Sequence, residues 1–246
     1  MDLTDLERQQ ADLAKVQTTD FRVSNLFSLL ASHIPSGSSI LDVGCGSGGL
    51  VGYLLENNFN AKGIDINENN INVAKKFLLS KDLKPESVSV NLSNDLISKG
   101  EQSDVVFCMD CLEHVEDDLM LFNDLIQLVR PGGTLILTVP ALMFLYGDRD
   151  KKIGHFKRYE KYDLEQLSKG KGLEIHEIRF WNILGVIPVF ITQKLLKRDL
   201  DVSFRYGKIS TSKRIIRGIL FFWFKYIENH ISPPFGLTLI LIATKK

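Results

Sequence analysis

The stretch "ILDVGCGSGG", residues 40–49, decides how this 246-residue chain is read. "SILDV" (39–43) has the continuous apolar character of a buried strand, and "GGLVGYLLENN" (48–58) has the apolar spacing of a helix. Between them stand glycines at 44, 46 and 48, with another at 49. Glycine admits positive φ and lets a ligand approach the backbone closely. The helix that follows directs its free N–H groups and positive dipole end at that ligand. Two spacings overlap here. Gly44, Gly46 and Gly49 fit the G-x-G-x-x-G pattern of a dinucleotide loop, whereas Gly44, Gly46 and Gly48 fit a tighter G-x-G-x-G loop.

Working outward, strands and helices alternate. Two helical patterns, 2–16 and 20–33, precede the loop, the second broken by "IPSGSS" (34–39). After it come a strand at 60–66, a helix at 67–81 with Asn67 as N-cap, and a strand at 87–91. A turn at "SNDLIS", a strand at 103–109 and a helix at 117–130 follow, the helix stopped by Pro131-Gly132-Gly133, and then a strand at 134–140. This alternation predicts an α/β fold: a Rossmann-like, doubly wound and mostly parallel sheet. Past Pro140 the rhythm changes to a charged aromatic loop (141–162), a short helix (163–170), a strand (173–181), a long excursion (182–232) and a closing strand (236–246). The last two strands are expected to pair antiparallel. The chain reads as one domain, 1–246, divided into N-terminal helices (1–37), a ligand-binding core (38–140), a loop and helical lid insertion (141–232) and the closing segment (233–246).

Composition narrows the classes. At 44% hydrophobic and 24% charged residues, the chain can bury its own core without disulfides or structural metals. Cys45, Cys108 and Cys111 form no disulfide framework, and the thiols point to a reducing compartment. The opening segment lacks the apolar stretch of a signal peptide, and no run of 18 uncharged apolar residues occurs, so a cytoplasmic protein is expected. Net charge is zero but lopsided: residues 1–140 carry 20 acids and 10 bases, and residues 141–246 the reverse. The basic part is either a solvated face or an attractor for an anionic substrate or acidic membrane surface.

An acid at the end of the second strand, Asp65, suits the ribose diol of any adenosine ligand. Asp42, two residues before the loop, separates the two spacings. It opposes a pyrophosphate and favours a ligand that carries positive charge, such as S-adenosylmethionine. Downstream, "GIDIN", "NDL", "MDCLEHV" and "LVRPGGTLILTVP" occur in order. With "ILDVGCGSG", they resemble the motifs of class I S-adenosylmethionine-dependent methyltransferases over residues 38–140. That resemblance implies S-adenosylmethionine as the donor, with Gly44, Gly46 and Gly48 against its methionine and ribose portions. Asp42 would help hold the loop and its ligand. Asp65 would bind the ribose diol, Ile66 the adenine face, and Asp95, with Leu96 beside it, the adenine amine. Met109 and Asp110 would border the methionine portion. The alternatives are an NAD(P)-dependent oxidoreductase and a non-catalytic donor-binding protein.

Methyl transfer requires alignment and exclusion of water more than covalent help, with a base where the acceptor arrives protonated. His114 is one candidate. "MDCLEHV" is similar to the segment of ubiquinone-biosynthesis O-methyltransferases in which two acids and this histidine hold a divalent metal. Here they would be Asp110, Glu113 and His114, with aspartate in place of that family's first glutamate, and no metal is assigned. The loop "YGDRDKKIGHFKRY" (146–159) resembles a "D…GH.RRY" stretch of a bacterial subgroup associated with glycan or lipid-linked substrates, matching at Asp150, His155, Arg158 and Tyr159, with Lys157 in place of an arginine. In that light His155 is a candidate base, Arg158 a grip for a carboxylate or phosphate, and Tyr146 and Tyr159 acceptor contacts. The segment 213–230 is basic, aromatic and amphipathic. It is read as a lid, a dimer contact or a peripheral membrane contact. The expected partner is a small-molecule acceptor. No basic stripe with interleaved aromatics lies beside the motifs, so nucleic acid is not expected.

Overall fold

The computed structural model describes residues 20–196 and 211–246. The helix expected at 2–16 lies outside the described residues. Seven strands form one sheet in the order β3-β2-β1-β4-β5-β7-β6. They are β1 (Ser39–Val43), β2 (Asn60–Asp65), β3 (Val88–Val90), β4 (Ser103–Met109), β5 (Val129–Pro140), β6 (Leu173–Trp181) and β7 (Thr238–Lys245). Strands β1 to β5 pair in parallel, and β7 lies antiparallel between β5 and β6. The expected pairing of the last two strands is therefore present, and β7 also completes the central sheet.

Side chains alternate along each strand, so the sheet feeds two apolar layers. On one face Ile40, Val105, Phe107, Ile136 and Ile240 meet α1 (Phe21–Ala31) and α2 (Gly49–Glu56). On the other, Leu41, Val106, Leu137 and Leu241 meet α4 (Ser93–Ser98), α5 (Asp118–Leu128) and α7 (Lys161–Ser168). Helix α3 (Glu68–Leu79) adds a third cluster over β2 and β3, through Ile71, Ala74, Phe77 and Leu78. Its start is set by Asn67, whose side chain accepts from the Asn69 N–H at 2.9 Å.

Three segments differ from the sequence expectation. "SNDLIS" is a helix, α4, tied to α5 by a 2.6 Å bond from Ser93 Oγ to Asp124 Oδ2. Strand β5 begins at Val129 and runs through Pro131-Gly132-Gly133 rather than starting after them. A register shift in its pairing with β4 accommodates the passage, and a Cβ on Gly133 would stand 2.7 Å from the Asp104 carbonyl oxygen. The 141–162 loop contains a short helix, α6 (Asp148–Lys152).

The excursion after β6 splits in two. One arm, α8 (Val186–Val189) continuing into a π-helical turn (Phe190–Leu195), lies near the carboxyl ends of the strands. The other, α9 (Thr211–Tyr226), packs on α1 and β6 through Phe224, whose ring centroid lies 6.0 Å from Phe21 and 4.8 Å from Trp181. Ile215, Ile216, Ile219, Phe222 and Tyr226 of α9 remain exposed. No described helix is long and apolar enough to cross a membrane.

Candidate active site

The chain winds outward from β1 to β3 and then returns to β4 and β5, so a crevice opens beyond the carboxyl ends of β1 and β4. The glycine loop borders it. Gly44, Gly46 and Gly48 have φ of 74°, 53° and 78°, a region that L side chains rarely adopt. A Cβ at Gly44 would stand 2.5 Å from Cys111 Sγ, and one at Gly48 would stand 2.9 Å from Ala74 Cβ, whereas Gly46 faces open space. Two of the glycines thus let the loop sit close to its neighbours, and the third leaves room for a ligand.

Asp65, at the end of β2, is fixed against this loop. Its Oδ2 accepts from the Gly46 N–H at 2.9 Å and its Oδ1 from the Asn67 N–H at 2.8 Å. Asn70 Nδ2 reaches both oxygens at 3.4 Å, a contribution that the sequence pattern alone did not mark. Asp42 is buried, with Oδ1 unpartnered. Burial, and then the neighbouring Asp65 charge, push its carboxyl up to about 7.

The sign of the resulting pH effect is definite. The folded chain holds the Asp42 proton to about pH 7, whereas the unfolded chain releases it near 3.8, so this group costs donor-free stability increasingly across that window. Asp42→Asn is expected to stabilise the donor-free protein at pH 8 by on the order of 4 kcal/mol, seen as a higher melting temperature, with little difference at pH 4. Thermal unfolding of both proteins at the two pH values checks it, and an equal difference at both would remove Asp42 from this role.

The remaining donor candidates border the same crevice or flank it. Ile66 is 72% exposed just beyond β2, an apolar surface open to a planar ring. Leu96 is buried in α4. Asp95 stands at the third position of α4 and accepts from the Leu92 N–H at 3.3 Å, so it also caps that helix. Met109 ends β4, and Asp110 follows at φ 47° with its Oδ1 accepting from Thr138 Oγ1 at 3.2 Å.

Beside this crevice is a cavity of about 280 Å³, lined in part by Asp110, Glu113, His114, Asp150, His155 and Arg158. The 141–159 segment is stitched over the turn after β4 by the Phe156 N–H donating to the Glu113 carbonyl at 2.8 Å. This brings the two candidate bases together: the His114 and His155 rings meet edge to face at 4.6 Å. His155 Nε2 lies 3.7 Å from Glu113 Oε1, and Nδ1 lies 3.4 Å from Asp150 Oδ1 without a hydrogen bond. Both Glu113 oxygens are buried and unpartnered, and burial, together with the Asp110 charge, raises that carboxyl to about 9. Burial and the neighbouring His155 lower His114. Burial also opposes the charge on Asp150, but His155, Arg158 and the Gly147 N–H outweigh it and hold that carboxyl at about 2. Glu113, His114 and His155 each offer a ligand atom within 4.8 Å of the others, so this trio is able to hold a metal ion; Asp110 is not in it.

The loop residues expected at the acceptor are placed unequally. Arg158 lines the cavity, but its Nε is bonded to Asp150 Oδ1 at 2.8 Å and its Nη1 to the Ala141 carbonyl at 3.3 Å. Tyr159 is fully buried, its hydroxyl donating to Asp118 Oδ2 at 2.9 Å, and its backbone bonds to Pro140 and Leu142 anchor the loop to the end of β5. Tyr146 donates to the His155 carbonyl at 2.9 Å and so braces the backbone that carries that imidazole. Three residues absent from the sequence expectation also line the cavity: Arg22 of α1, Arg149 of α6 and Gln193 of the π-helical turn.

A doubly wound sheet with a glycine loop and a strand-end acid defines an adenosine-binding α/β protein, and comparison with known proteins defines it further. The family model of a methyltransferase domain matches residues 18–178. The ubiquinone biosynthesis O-methyltransferase of Salmonella newport (strain SL254) is 33% identical over 189 residues, covering 74% of this chain and 72% of that protein. Among solved structures, the methyltransferase in the complex with the Haloferax volcanii Trm112 activator superimposes with TM-score 0.62 at 18% identity, covering 99% of this chain and 97% of that one. A SAM-dependent methyltransferase from Archaeoglobus fulgidus superimposes with TM-score 0.56 at 19% identity, covering 92% and 96%. The chain belongs to the class I S-adenosylmethionine-dependent methyltransferase family. S-adenosylmethionine is its cofactor, and the dinucleotide-dependent oxidoreductase reading is set aside. The glycine loop and the anchored Asp65 carboxylate fit that ligand.

Proposed function

We propose that this methyltransferase acts on an oxygen or nitrogen atom of a small anionic or lipid-linked acceptor bound in the cavity beside the donor crevice. The observation that carries the reading is a set of unpartnered buried groups, His155 Nδ1 and the Glu113 carboxyl, in a cavity that adjoins the carboxyl ends of β4 and β5. When bound, S-adenosylmethionine supplies a methyl group on a positively charged sulfur. His155 takes the proton released by the acceptor hydroxyl or amine. Asp150, held ionised, faces the imidazolium that results. Ile153, Val189 and Leu237 supply the apolar part of the cavity wall. Incubation with labelled donor and a panel of phenols, amines, carboxylates and lipid-linked alcohols tests this. Methylated product and S-adenosylhomocysteine are expected in equal amounts. Donor binding without product across the panel would leave a non-catalytic binding protein.

Glu113, His114 and His155 favour a second reading of the same step. A divalent ion on this trio would draw down the pKa of an acceptor hydroxyl. Activity abolished by a chelator and restored by a divalent salt would select it over the imidazole base.

The lipid-linked part of the reading has separate support in α9. Its exposed Ile215, Ile216, Ile219 and Phe222 lie among Arg214, Arg217 and Lys225, an apolar face with a cationic margin suited to an anionic lipid surface. The protein is expected to co-sediment with vesicles containing phosphatidylserine. The double variant Ile219→Asp/Phe222→Asp is expected to lose most of that binding while keeping its melting temperature. Sedimentation that the variant leaves unchanged would rule this face out.

A further inference from the structure

The cavity holds two polar side chains to which the base chemistry gives no work. Arg22 sits in the first turn of α1, after the N-cap Asp20, where the helix dipole disfavours a cation. Its Nε is buried without a hydrogen-bond partner, and it makes no ion pair among the described residues, although its charge reaches the Asp110 carboxyl across the cavity. Gln193, on the π-helical turn, has both its amide nitrogen and its amide oxygen buried and unpartnered. Unmade bonds at buried donors are costly, and native proteins seldom carry several in one cavity unless something else completes them. Arg22 and Gln193 enter the cavity from elements some 170 positions apart in sequence, so no local turn explains their convergence.

Charge points the same way. The lining carries the guanidiniums of Arg22, Arg149 and Arg158 alongside the acids Asp110, Glu113 and Asp150. The Arg158–Asp150 pair is self-contained at 2.8 Å. What remains on the basic side is Arg22 and Arg149, neither of them in an ion pair among the described residues, with Arg149 exposed.

We propose that Arg22 and Gln193 form a grip for an anionic oxygen group on the acceptor, a carboxylate or a phosphate monoester, with Arg149 drawing it in. The guanidinium donates to the anion, and the Gln193 amide donates to it while its oxygen accepts from a neighbouring hydroxyl or amine of the ligand. This rests on the reading that the cavity takes the acceptor. It makes Arg22 and Gln193 residues of specificity rather than of chemistry.

The test uses the full chain saturated with S-adenosylhomocysteine and titrated calorimetrically with benzoate, phenyl phosphate and benzyl alcohol. At least one anion is expected to bind tenfold or more tightly than the alcohol, and the two anionic arms separate carboxylate from phosphate. Arg22→Met keeps the apolar stem, and it is expected to weaken that anion about 10- to 100-fold with the alcohol unchanged. Gln193→Leu is expected to weaken it about 5- to 10-fold. The affinity of each variant for S-adenosylhomocysteine is measured first. Loss of donor-product binding in the parent would defeat the functional reading, and the anion titration on the same protein would still decide the grip. Equal binding of anions and alcohol by the parent overturns the proposal. So does undiminished anion binding by a donor-competent Arg22→Met, or by Gln193→Leu should the arginine variant not fold.

Discussion

Asp65→Ala is expected to weaken S-adenosylmethionine binding about 100-fold or more, with the fold kept but the melting temperature lowered by the lost loop bonds. The carboxylate is the acceptor best placed for a ribose diol at the end of β2, and each charge-assisted bond is worth about 1.5–3 kcal/mol. It also receives the Gly46 and Asn67 N–H groups, so its removal loosens the loop as well as the ribose contact. Asp65→Asn separates the two effects: its amide oxygen still accepts, and its affinity should fall between those of alanine and the parent. Equilibrium binding of the donor reads all three proteins. Unchanged affinity in the alanine variant would take Asp65 out of ribose recognition, whatever the family pattern.

His155→Ala is expected to have the opposite signature. Turnover should drop by about 10²- to 10⁴-fold, the range of a lost general base, with donor affinity within twofold of the parent. The separation is physical. His155 touches Glu113, Asp150 and His114 and, among the described residues, bonds to neither the glycine loop nor Asp65. Single-turnover measurement with donor prebound keeps the chemical step apart from product release. A fully active variant would demote the 141–159 segment to a structural cover. His114→Ala then becomes the next candidate, since that ring lines the same cavity.

The donor half of the site was legible because it is local. Gly44 to Gly48, Asp65 and the strands before them follow one another within 27 residues, and each strand end carries its own signal: a glycine or an acid after an apolar run. The acceptor half was legible only in part. Arg158 and Tyr159 stood out as chemistry-bearing residue types, yet only tertiary structure shows Arg158 bonded to Asp150 and Tyr159 to Asp118, 41 positions away. Arg22 and Gln193 carry no sequence signal, because one looks like a helix surface residue and the other like part of an apolar stretch. Among the elements, α4 escaped because six residues are too few for helical periodicity to show. Strand β5 was read short because Pro131-Gly132-Gly133 normally ends regular structure, and here the register shift against β4 absorbs it.

The 2.9 Å bond from the Gly46 N–H to Asp65 Oδ2 has a thermodynamic consequence. It ties the glycine loop to the neighbouring strand through the chain's own atoms. The entropy of ordering that loop is therefore met when the protein folds, not when the donor arrives. A site whose competent state is already dominant shows its intrinsic dissociation constant, undiluted by a rare-conformer fraction. Donor association should then follow simple one-step kinetics, with an observed rate linear in concentration. The Gly46 amide should exchange slowly with solvent deuterium before any donor is added.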